Sequence, residues 1–387
     1  MRAALPLLLL LVAVNRPLQQ LRQLTKPDAE VADPFTNVTA VRELRDGRVI
    51  IIDPKDKVVQ VVDFKAGTAK TIGREGSGPK EYGLPMALVA LPGDTSLVYD
   101  PLNSRSLVVL PNGEPGDFFR QETQRMNGPG GGMIMSLSPP RYADAKGRLY
   151  TVGAGIRMTD AGPVTADSAP VTRYDRGTKA TDTVAWIRQP KDNMQASRSE
   201  GRESIRIGGA NPFSARDEWA VTPDGRVAVI RSPEYRVDWY GPVAKQGAPI
   251  AYEKLKVTEG HKQQWRDGRK NATAIMITNN NGRTTTRTGT PGSGGISIPE
   301  PSDWPELMPP FLDRAAQVAP DGRIWLSRTR DAKDANPKYD VIDGSGAVTM
   351  RVALPPKTRI VGLGNGTIYT IRTDEDDLQY LQRFRMP

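Results

Sequence analysis

The sequence contains no cysteine and a single histidine, His261, among its 387 residues. The lack of cysteine excludes disulfides, thiolate metal sites, cysteine nucleophiles and lipid attachment through an N-terminal cysteine. One histidine argues against a metal site built from several histidines and leaves one candidate base for Ser-His-Asp chemistry. The chain also lacks a Walker-type phosphate loop, a dinucleotide fingerprint opening a helix, a His-Glu-x-x-His motif and a Gly-x-Ser-x-Gly nucleophile elbow. The common catalytic motifs are therefore missing.

Long apolar runs are scarce, and the longest stands at the N-terminus. Arg2 is followed by the uncharged, mainly apolar segment Ala3 to Val14. Twelve residues are too few to span a bilayer but suit the core of a signal peptide. We therefore predict a signal peptide over residues 1–16, a mature chain over 17–387 that forms one domain, and no stable membrane span. The predicted location is periplasmic or secreted.

The composition is that of a water-soluble globular protein, with 38% hydrophobic and 25% charged residues. The 37 glycines and 33 prolines imply many turns and argue against a bundle of long helices. Lys and Arg total 53 against 44 Asp and Glu, which gives a net charge of +9. Because no lysine-rich tract with interleaved aromatic residues is present, nucleic acid is a poor candidate partner. Attraction to anionic polymers of the cell envelope fits the charge better.

One local pattern recurs six times: an apolar segment, a tight turn containing Gly or Asp, and a second apolar segment. The turns centre on Gly47, Asp94, Gly147, Gly225, Gly322 and Gly366. Asp-Gly and Asn-Gly between apolar runs are strong hairpin signals. A second strand or strand pair follows each hairpin, so the sequence predicts an all-β, six-bladed β-propeller of four-stranded antiparallel blades. A β-sandwich of six hairpins is the alternative, and the regular four-strand units argue against it.

Uneven spacing between the turns predicts insertions at about residues 190–216 and 253–313. The second insertion contains a predicted helix, Thr258 to Met276, with Thr258 as N-cap. The Asn-, Thr- and Gly-rich stretch at about 278–298 is expected to be mobile. The last blade, Ile360 to Phe384, lacks a fourth strand, and we predict that Leu18 to Leu24 supplies it.

The segment Gly73-Arg74-Glu75-Gly76-Ser77-Gly78-Pro79-Lys80-Glu81-Tyr82 resembles a glycine-rich element of exported bacterial six-bladed β-propeller proteins, with Lys80 as a minor departure. The resemblance continues through residues 220–226, 235–239 and 372–380. These proteins are similar in style to NHL-repeat propellers, and most have no assigned activity. The resemblance therefore implies a fold and an exported location and transfers no catalytic residues.

Candidate site residues come from aligning the six units on their first turns. The position six residues after each turn is, in order, Asp53, Asp100, Gly153, Arg231, Arg328 and Arg372. Each ends a second strand, so all six are expected on one face of the propeller. Arg141, Arg314 and Arg359, at strand starts, are expected near the same rim. Arginine presents a planar fork suited to a carboxylate, sulfate or phosphate.

A structural interpretation competes with this anion site. Arg372 could brace Asp53 or Asp374, and Arg328 could pair with Asp331. Trp219, Trp239 and Trp325 lie inside predicted strands and are expected in the core. In the second insertion, Trp265 and Trp304 could stack on a sugar ring, whereas His261 is expected to be solvated. The run Asp374 to Asp377 is expected to be a turn, with calcium binding as the lesser alternative.

Two functions remain open. The first is a non-catalytic, monomeric binding module that needs no cofactor and recognises an anionic small molecule, a glycan or an envelope protein. The second is a metal-dependent hydrolase or lyase acting on a carbohydrate or lactone, with Ca²⁺ as the candidate ion. A metal held by channel carboxylates would favour the enzyme, and a channel lined by Val, Ala and Thr would favour the binder.

Overall fold

The computed structural model of the chain describes residues 21–121, 125–127, 133–135, 139–159, 162–190, 193–199, 202–208, 211–232, 234–270, 274–280, 283–289, 300–301 and 303–387. The predicted signal peptide, residues 1–16, and the first part of the predicted closing strand lie outside these residues. Within them, no helix is long and apolar enough to cross a membrane.

Six small antiparallel sheets form the six predicted blades. Blades one and two consist of Ala40–Glu43, Val49–Asp53, Val58–Asp63 and Thr68–Thr71, and of Ala87–Ala90, Ser96–Asp100, Arg105–Val109 and Pro115–Phe119. Blades three and four consist of Tyr142–Ala143, Leu149–Val152, Ser168–Tyr174 and Thr181–Arg188, and of Glu218–Val221, Val227–Arg231 and Arg236–Tyr240. Blades five and six consist of Ala316–Val318, Ile324–Arg328, Lys338–Ile342 and Val348–Ala353, and of Thr358–Leu363, Thr367–Thr373 and Gln379–Arg385. Two N-terminal segments each add one strand to the last two blades.

The six blades close into a ring around their first strands. The first strand of each blade lies next to that of the following blade, and Thr358–Leu363 of blade six lies against Ala40–Glu43 of blade one. Buried Val, Ile and Leu side chains fill the space between successive blades, as expected for strands whose two faces both meet a neighbour. Trp219, Trp239 and Trp325 are buried in this core, which confirms the prediction. The all-β, six-bladed β-propeller is therefore confirmed.

The recurring turns also connect the blades. At Gly47, Gly225 and Gly322 the backbone has φ between +85° and +87°, a region that glycine adopts without strain. An Asp–Arg pair of 2.7 Å closes each of these three turns: Asp46–Arg48, Asp224–Arg226 and Asp321–Arg323. Arg226 also donates to the carbonyl of Gly344 in blade five (3.0 Å) and lies over the Trp239 ring. The turn sequence therefore shapes the hairpin and fastens blade four to blade five.

The prediction that Leu18 to Leu24 completes blade six was wrong. Ala29–Glu30 pairs antiparallel with Gln379–Arg385, whereas Leu21–Gln23 adds a fifth, parallel strand to blade five beside Val348–Ala353. The physical reason is charge. The last two strands of blade six carry arginines, and the 28–30 segment brings acids that pair with them: Asp28 with Arg383 at 3.1 Å and Glu30 with Arg372 at 3.2 Å. The more apolar segment was the poorer partner.

The predicted insert helix begins at the expected residue and ends early. It spans Glu259–Lys270, directly after Thr258, and Ala274–Asn280 and Arg283–Gly289 then form a hairpin. The β-branched residues of that segment favour a strand over further helix. This hairpin and the strands Asn193–Ser199 and Arg202–Gly208 form one sheet. Part of the stretch expected to be mobile, 278–280 and 283–289, is therefore strand, and residues 281–282 and 290–298 lie outside the described residues.

The remaining elements are short. A second additional sheet contains Arg125–Asn127, Met133–Met135, Ala154–Thr159 and Gly162–Thr165. Arg74–Glu75 and Glu81–Tyr82 pair in parallel within the glycine-rich segment after blade one, and Pro92–Asp94 forms a 3₁₀ turn.

Candidate functional site

The strand-end residues lie on one face of the ring because all second strands run in the same direction. The last residues of each second strand pair with the first residues of the third strand of the same blade. The predicted residues lie at or next to this end of their strands: Asp53, Asp100, Arg231, Arg328 and Arg372. Their chemical environments differ from blade to blade.

Asp53 and Asp100 have the same structural role in blades one and two. Both are buried, and each carboxylate accepts hydrogen bonds from the turn that follows it and from two consecutive backbone amides of the segment entering its blade. For Asp53 those two amides are Thr36 (3.1 Å) and Asn37 (2.7 Å), and for Asp100 they are Gly83 (2.8 Å) and Leu84 (3.1 Å). Their lone pairs are thus used for holding the backbone, as for other buried carboxylates.

Arg231 is held by two carboxylates of blade four. Its guanidinium contacts Asp217 at 2.6 Å and Asp238 at 2.9 Å. It also donates to the hydroxyl of Tyr240 (2.7 Å) and to the carbonyl of Trp186 in blade three (3.1 Å). Burial alone would lower the pKa of Arg231, but the hydrogen bonds that it donates to Asp238 and Asp217 outweigh burial, and the pKa is raised. Arg231 therefore links blades three and four.

Arg328 and Arg372 also have local partners. Arg328 contacts Asp340 at 2.6 Å, donates to the carbonyl of Pro310 (2.8 Å) and lies over the ring of Tyr235 in blade four. Arg372 pairs with Glu30 at 3.2 Å. The structural interpretation expected other partners for these two arginines and was wrong about them: Asp53 or Asp374 for Arg372, and Asp331 for Arg328. Within the described residues, Arg231, Arg328 and Arg372 share no partner. Their predicted role as a shared anion site stays a prediction.

The three arginines predicted from strand starts are dispersed. Arg359 donates to the carbonyl of Val38 (2.5 Å), and burial lowers its pKa. Arg314 is exposed, with φ of 55°. Arg141 contacts Glu218 of blade four at 2.7 Å and the carbonyl of Ala316 in blade five at 2.8 Å.

Arg141 and its neighbour reach across the ring. Blade three is separated from blade five by blade four, yet the Tyr142 hydroxyl also lies 3.0 Å from the Ala316 carbonyl. Burial alone would lower the pKa of Arg141, but the Glu218 carboxylate outweighs it and the pKa is raised. Burial raises the pKa of Tyr142 above its usual range, so its hydroxyl stays protonated. A charged group and a phenol therefore connect blade three with the first strands of blades four and five.

The aromatic residues of the second insertion form a cluster. Trp265 meets Trp304 edge to face with ring centres 5.3 Å apart, and Trp304 lies 5.1 Å from Phe213. The expectation that His261 is solvated was wrong, because this side chain is 4% exposed. Its Nδ1 accepts from the backbone N–H of Thr258 (3.1 Å), which caps the helix, and its Nε2 lies 3.0 Å from the Arg330 carbonyl. His261 thus fastens the insert helix to blade five.

The glycine-rich segment after blade one is folded around its own glutamate. The Glu81 carboxylate accepts from the Gly78 amide (2.7 Å) and from Arg74 (2.6 Å). Arg105 donates to the carbonyls of Ser77 (3.0 Å) and Gly78 (2.9 Å) from below the loop. A Cβ on Gly76 would overlap the Glu81 carboxylate, which explains that glycine. Because an internal anion fills the loop, the motif is structural.

A cavity of about 810 Å³ opens between the outer strand of blade three and blade four. Trp186 and Arg188 line it from blade three, and Arg231, Arg236 and Tyr240 line it from blade four. Arg236 contacts Asp238 at 3.1 Å and Glu234 at 4.0 Å. Arg188 is exposed and donates to the Ser232 carbonyl (3.3 Å), and among the described residues no carboxylate lies within ion-pair distance of its guanidinium.

Sequence reasoning identified Arg231 and missed the rest of this cavity. The available signal was alternation in the strand Thr181–Arg188. Ala185 and Ile187 are buried, so Trp186 and Arg188 lie on the other face, two residues apart at a strand end. A tryptophan and an arginine on the less buried face of an edge strand mark a candidate binding surface.

No metal centre is found in the described part of the chain, where no three His, Cys, Asp or Glu side chains come together in a suitable group.

Comparisons with known proteins give similar folds and no family. No family model matches the sequence, and no curated protein matches it. Among solved structures, a Bacteroides fragilis protein provisionally described as exported is 11% identical, with a TM-score of 0.42 and coverage of 95% of this chain and 94% of that one. A protein provisionally described as a gluconolactonase is 13% identical, with a TM-score of 0.40 and coverage of 92% and 93%. The calcium-binding protein regucalcin of Agrobacterium tumefaciens is 10% identical, with a TM-score of 0.31 and coverage of 95% and 99%. Identities this low transfer no activity.

Proposed function

We propose that the protein is an exported, non-catalytic binding module that takes an organic anion in the cavity between blades three and four. Export is supported by the apolar segment Ala3 to Val14, which follows Arg2. The observation that carries the binding proposal is the guanidinium of Arg188. It lines a cavity and, within the described residues, lacks a carboxylate partner, whereas Arg231 and Arg236 beside it are each held by acids.

The surroundings of Arg188 suit an anion held by directional hydrogen bonds. Asp217 accepts from the Arg188 backbone amide (2.9 Å) and from Arg231 (2.6 Å), so this carboxylate is engaged away from the Arg188 side chain. Among the described residues, the Ser232 carbonyl at 3.3 Å takes one donor of the Arg188 fork, and the other donors of the fork have no acceptor there. Charge-assisted hydrogen bonds of this kind contribute about 1.5–3 kcal/mol each.

The test is calorimetric titration of cyclohexanecarboxylate and glucuronate into the wild-type protein and the Arg188→Ala variant, at about 20 mM and about 200 mM NaCl, because salt screens exposed charges. We expect at least one anion to bind, more weakly at high salt. Loss of one charge-assisted interaction should weaken that binding in Arg188→Ala by about tenfold or more.

Arg173→Ala is the matched control. Arg173 lies in the same blade and pairs with Asp182 at 2.6 Å, and it does not line the cavity. This variant should bind like the wild type. The proposal is wrong if neither anion binds, or if the two variants lose affinity equally.

A further inference from the structure

The geometry points to a saccharide that carries a single carboxylate as the ligand of this cavity. This inference rests on the proposed anion site and adds the chemical class of the ligand. Three features carry it: the volume of the cavity, a tryptophan in its wall on which no ring or cation of the described residues stacks, and the balance of acids and bases around it.

The cavity is too large for a simple ion. A volume of about 810 Å³ falls within the range of about 300–1,000 Å³ that is typical of sites for organic ligands. A small inorganic anion takes the space of a few waters, at about 30 Å³ each. An inorganic anion at Arg188 would leave most of the cavity to solvent, whereas one or two sugar rings would fill a large share of it.

Trp186 supplies a flat apolar wall. Its ring is half-buried and lines the cavity, and within the described residues no aromatic ring or cation lies at stacking distance from it. The other half-buried tryptophans differ, since Trp265 and Trp304 face each other at 5.3 Å. An indole face left open toward a cavity suits the C–H face of a sugar ring, which buries apolar area while its hydroxyls stay at the edges.

The charges of the wall favour one carboxylate rather than several. Three arginines line the cavity, Arg188, Arg231 and Arg236, and so do three acids, Asp167, Asp217 and Glu234. Arg231 and Arg236 are already paired with acids. The positive charge available to a ligand is therefore that of Arg188. A highly sulfated polymer would meet the acids and be repelled, whereas sugar hydroxyls can donate to them. Gln189 and Ser214 add neutral partners to the same wall.

Three probes separate the contributions: cellobiouronate, which has two rings and one carboxylate; cellobiose, its neutral counterpart; and cyclohexanecarboxylate, which has a ring and a carboxylate but no hydroxyls. Titration should show cellobiouronate binding about tenfold or more tighter than either of the others, because only it meets Trp186, Arg188 and the acceptors together. Tryptophan fluorescence should change on binding of cellobiouronate.

Trp186→Leu should weaken cellobiouronate binding about tenfold and abolish the fluorescence change. Trp186→Phe keeps an aromatic ring and should retain part of the affinity, which guards against a folding defect in the leucine variant. Phe119→Leu is the matched control and should bind like the wild type, because this half-buried ring lies beside Tyr174 and does not line the cavity.

The outcomes are distinguishable. If cellobiouronate binds no tighter than cyclohexanecarboxylate, the saccharide inference is wrong and the anion site stands. If cellobiose binds as tightly as cellobiouronate, the carboxylate has no role and the inference is again wrong. If no probe binds, both the inference and the proposed function fail.

Discussion

At the scale of single residues, the structural role of each arginine that ends a second strand depends on the carboxylates that it contacts. Arg328 illustrates this. Its partner Asp340 lies twelve positions away on the neighbouring strand, is buried, and also accepts from the Tyr235 hydroxyl at 2.6 Å. Burial raises the pKa of Tyr235 well above its usual value, so the phenol remains a donor. Arg328 thus belongs to a network that joins blade five to blade four.

Removing the Arg328 side chain should destabilise the fold. Among the described residues, Arg328→Ala leaves the buried Asp340 carboxylate with Tyr235 and Arg351, the latter at 3.4 Å. Breaking a buried pair on one side costs about 3–5 kcal/mol. We expect a loss of that order in the free energy of unfolding, measured by urea denaturation.

Arg323→Ala, in the same blade, removes an exposed pair with Asp321 and should cost about 1 kcal/mol or less. A stable Arg328→Ala variant that instead lost affinity for glucuronate would support the shared anion site predicted from the sequence.

The sequence showed which second strands end in a charged residue, but it did not show which group each of these residues contacts. Asp53, Asp100, Arg231, Arg328 and Arg372 follow the first turns at one spacing and lie on one face, because each second strand runs away from its turn in the same direction. Which acid each arginine meets depends on the packing of neighbouring blades, a long-range property without a local signal. Alternation in Thr181–Arg188 marks the face that carries Arg188, but for the same reason the sequence could not show that no carboxylate of the described residues pairs with it.

At the scale of elements, blade four differs from the others because it has three strands. An irregular segment covers its outer edge: the N–H and C=O of Trp239 pair with Lys245 at 2.8 and 2.9 Å, and the Ile250 amide donates to the Tyr235 carbonyl at 2.7 Å. Gly247 lies against the backbone of Val237 between these contacts, and a Cβ there would overlap the Val237 carbonyl. The segment protects the edge in place of a fourth strand.

Gly247→Ala should therefore loosen the edge of blade four. The new methyl group meets backbone atoms, which cannot rotate away as a flexible side chain can, and overpacking of this kind costs about 1–3 kcal/mol. Thermal unfolding should show a lower midpoint, and hydrogen exchange should increase at Trp239 and Lys245.

Gly268→Ala is the control, with the opposite expected sign. Gly268 lies in the insert helix, where nothing stands within 4 Å of an added Cβ, and alanine favours a helix over glycine by about 0.5–1 kcal/mol. Equal effects of the two substitutions would mean that the segment around Gly247 does not protect the edge.

Elements were predicted best where turns fixed them and worst where composition was the main guide. Asp-Gly turns gave the hairpins of the blades, because two-residue turns set strand pairing. The insert helix was extended to Met276 on spacing alone, whereas the run Ala274–Asn280 is a strand paired with Arg283–Gly289. Pairing with another strand overrode the weaker helical pattern.

At the scale of the whole molecule, the ring depends on how the N-terminal segment is placed. Residues 21–23 lie at the outer edge of blade five and are exposed, and the Leu24 amide donates to the Ala353 carbonyl at 2.9 Å. Residues 28–35 then run along blade six, where Asp28, Val31 and Phe35 donate backbone hydrogen bonds of 2.7–2.9 Å to Arg383, Leu381 and Gln379. Blade six is thus built from both ends of the described chain.

Two truncations should therefore differ in effect. Removing residues 1–25 takes away an exposed strand at the edge of an already four-stranded blade, and the melting temperature should fall slightly. Removing residues 1–35 also takes away the outer strand of blade six and its ion pairs Asp28–Arg383 and Glu30–Arg372. Apart from the pairing of Ala29–Glu30 itself, four backbone hydrogen bonds join residues 28–35 to blade six, and at a net value of about 1 kcal/mol each their loss should cost about 4 kcal/mol.

Calorimetric melting of the two truncated proteins beside the full chain measures the difference. Adding Glu30→Gln and Asp28→Asn to the chain that lacks residues 1–25 should reproduce part of the larger loss, because these changes remove the ion pairs but keep the strand. If both truncations melt at the same temperature, the pairing of Ala29–Glu30 with blade six does not stabilise the ring, and closure must depend on the contact between the first strands of blades six and one, where Gly362 lies against the backbone of Val41.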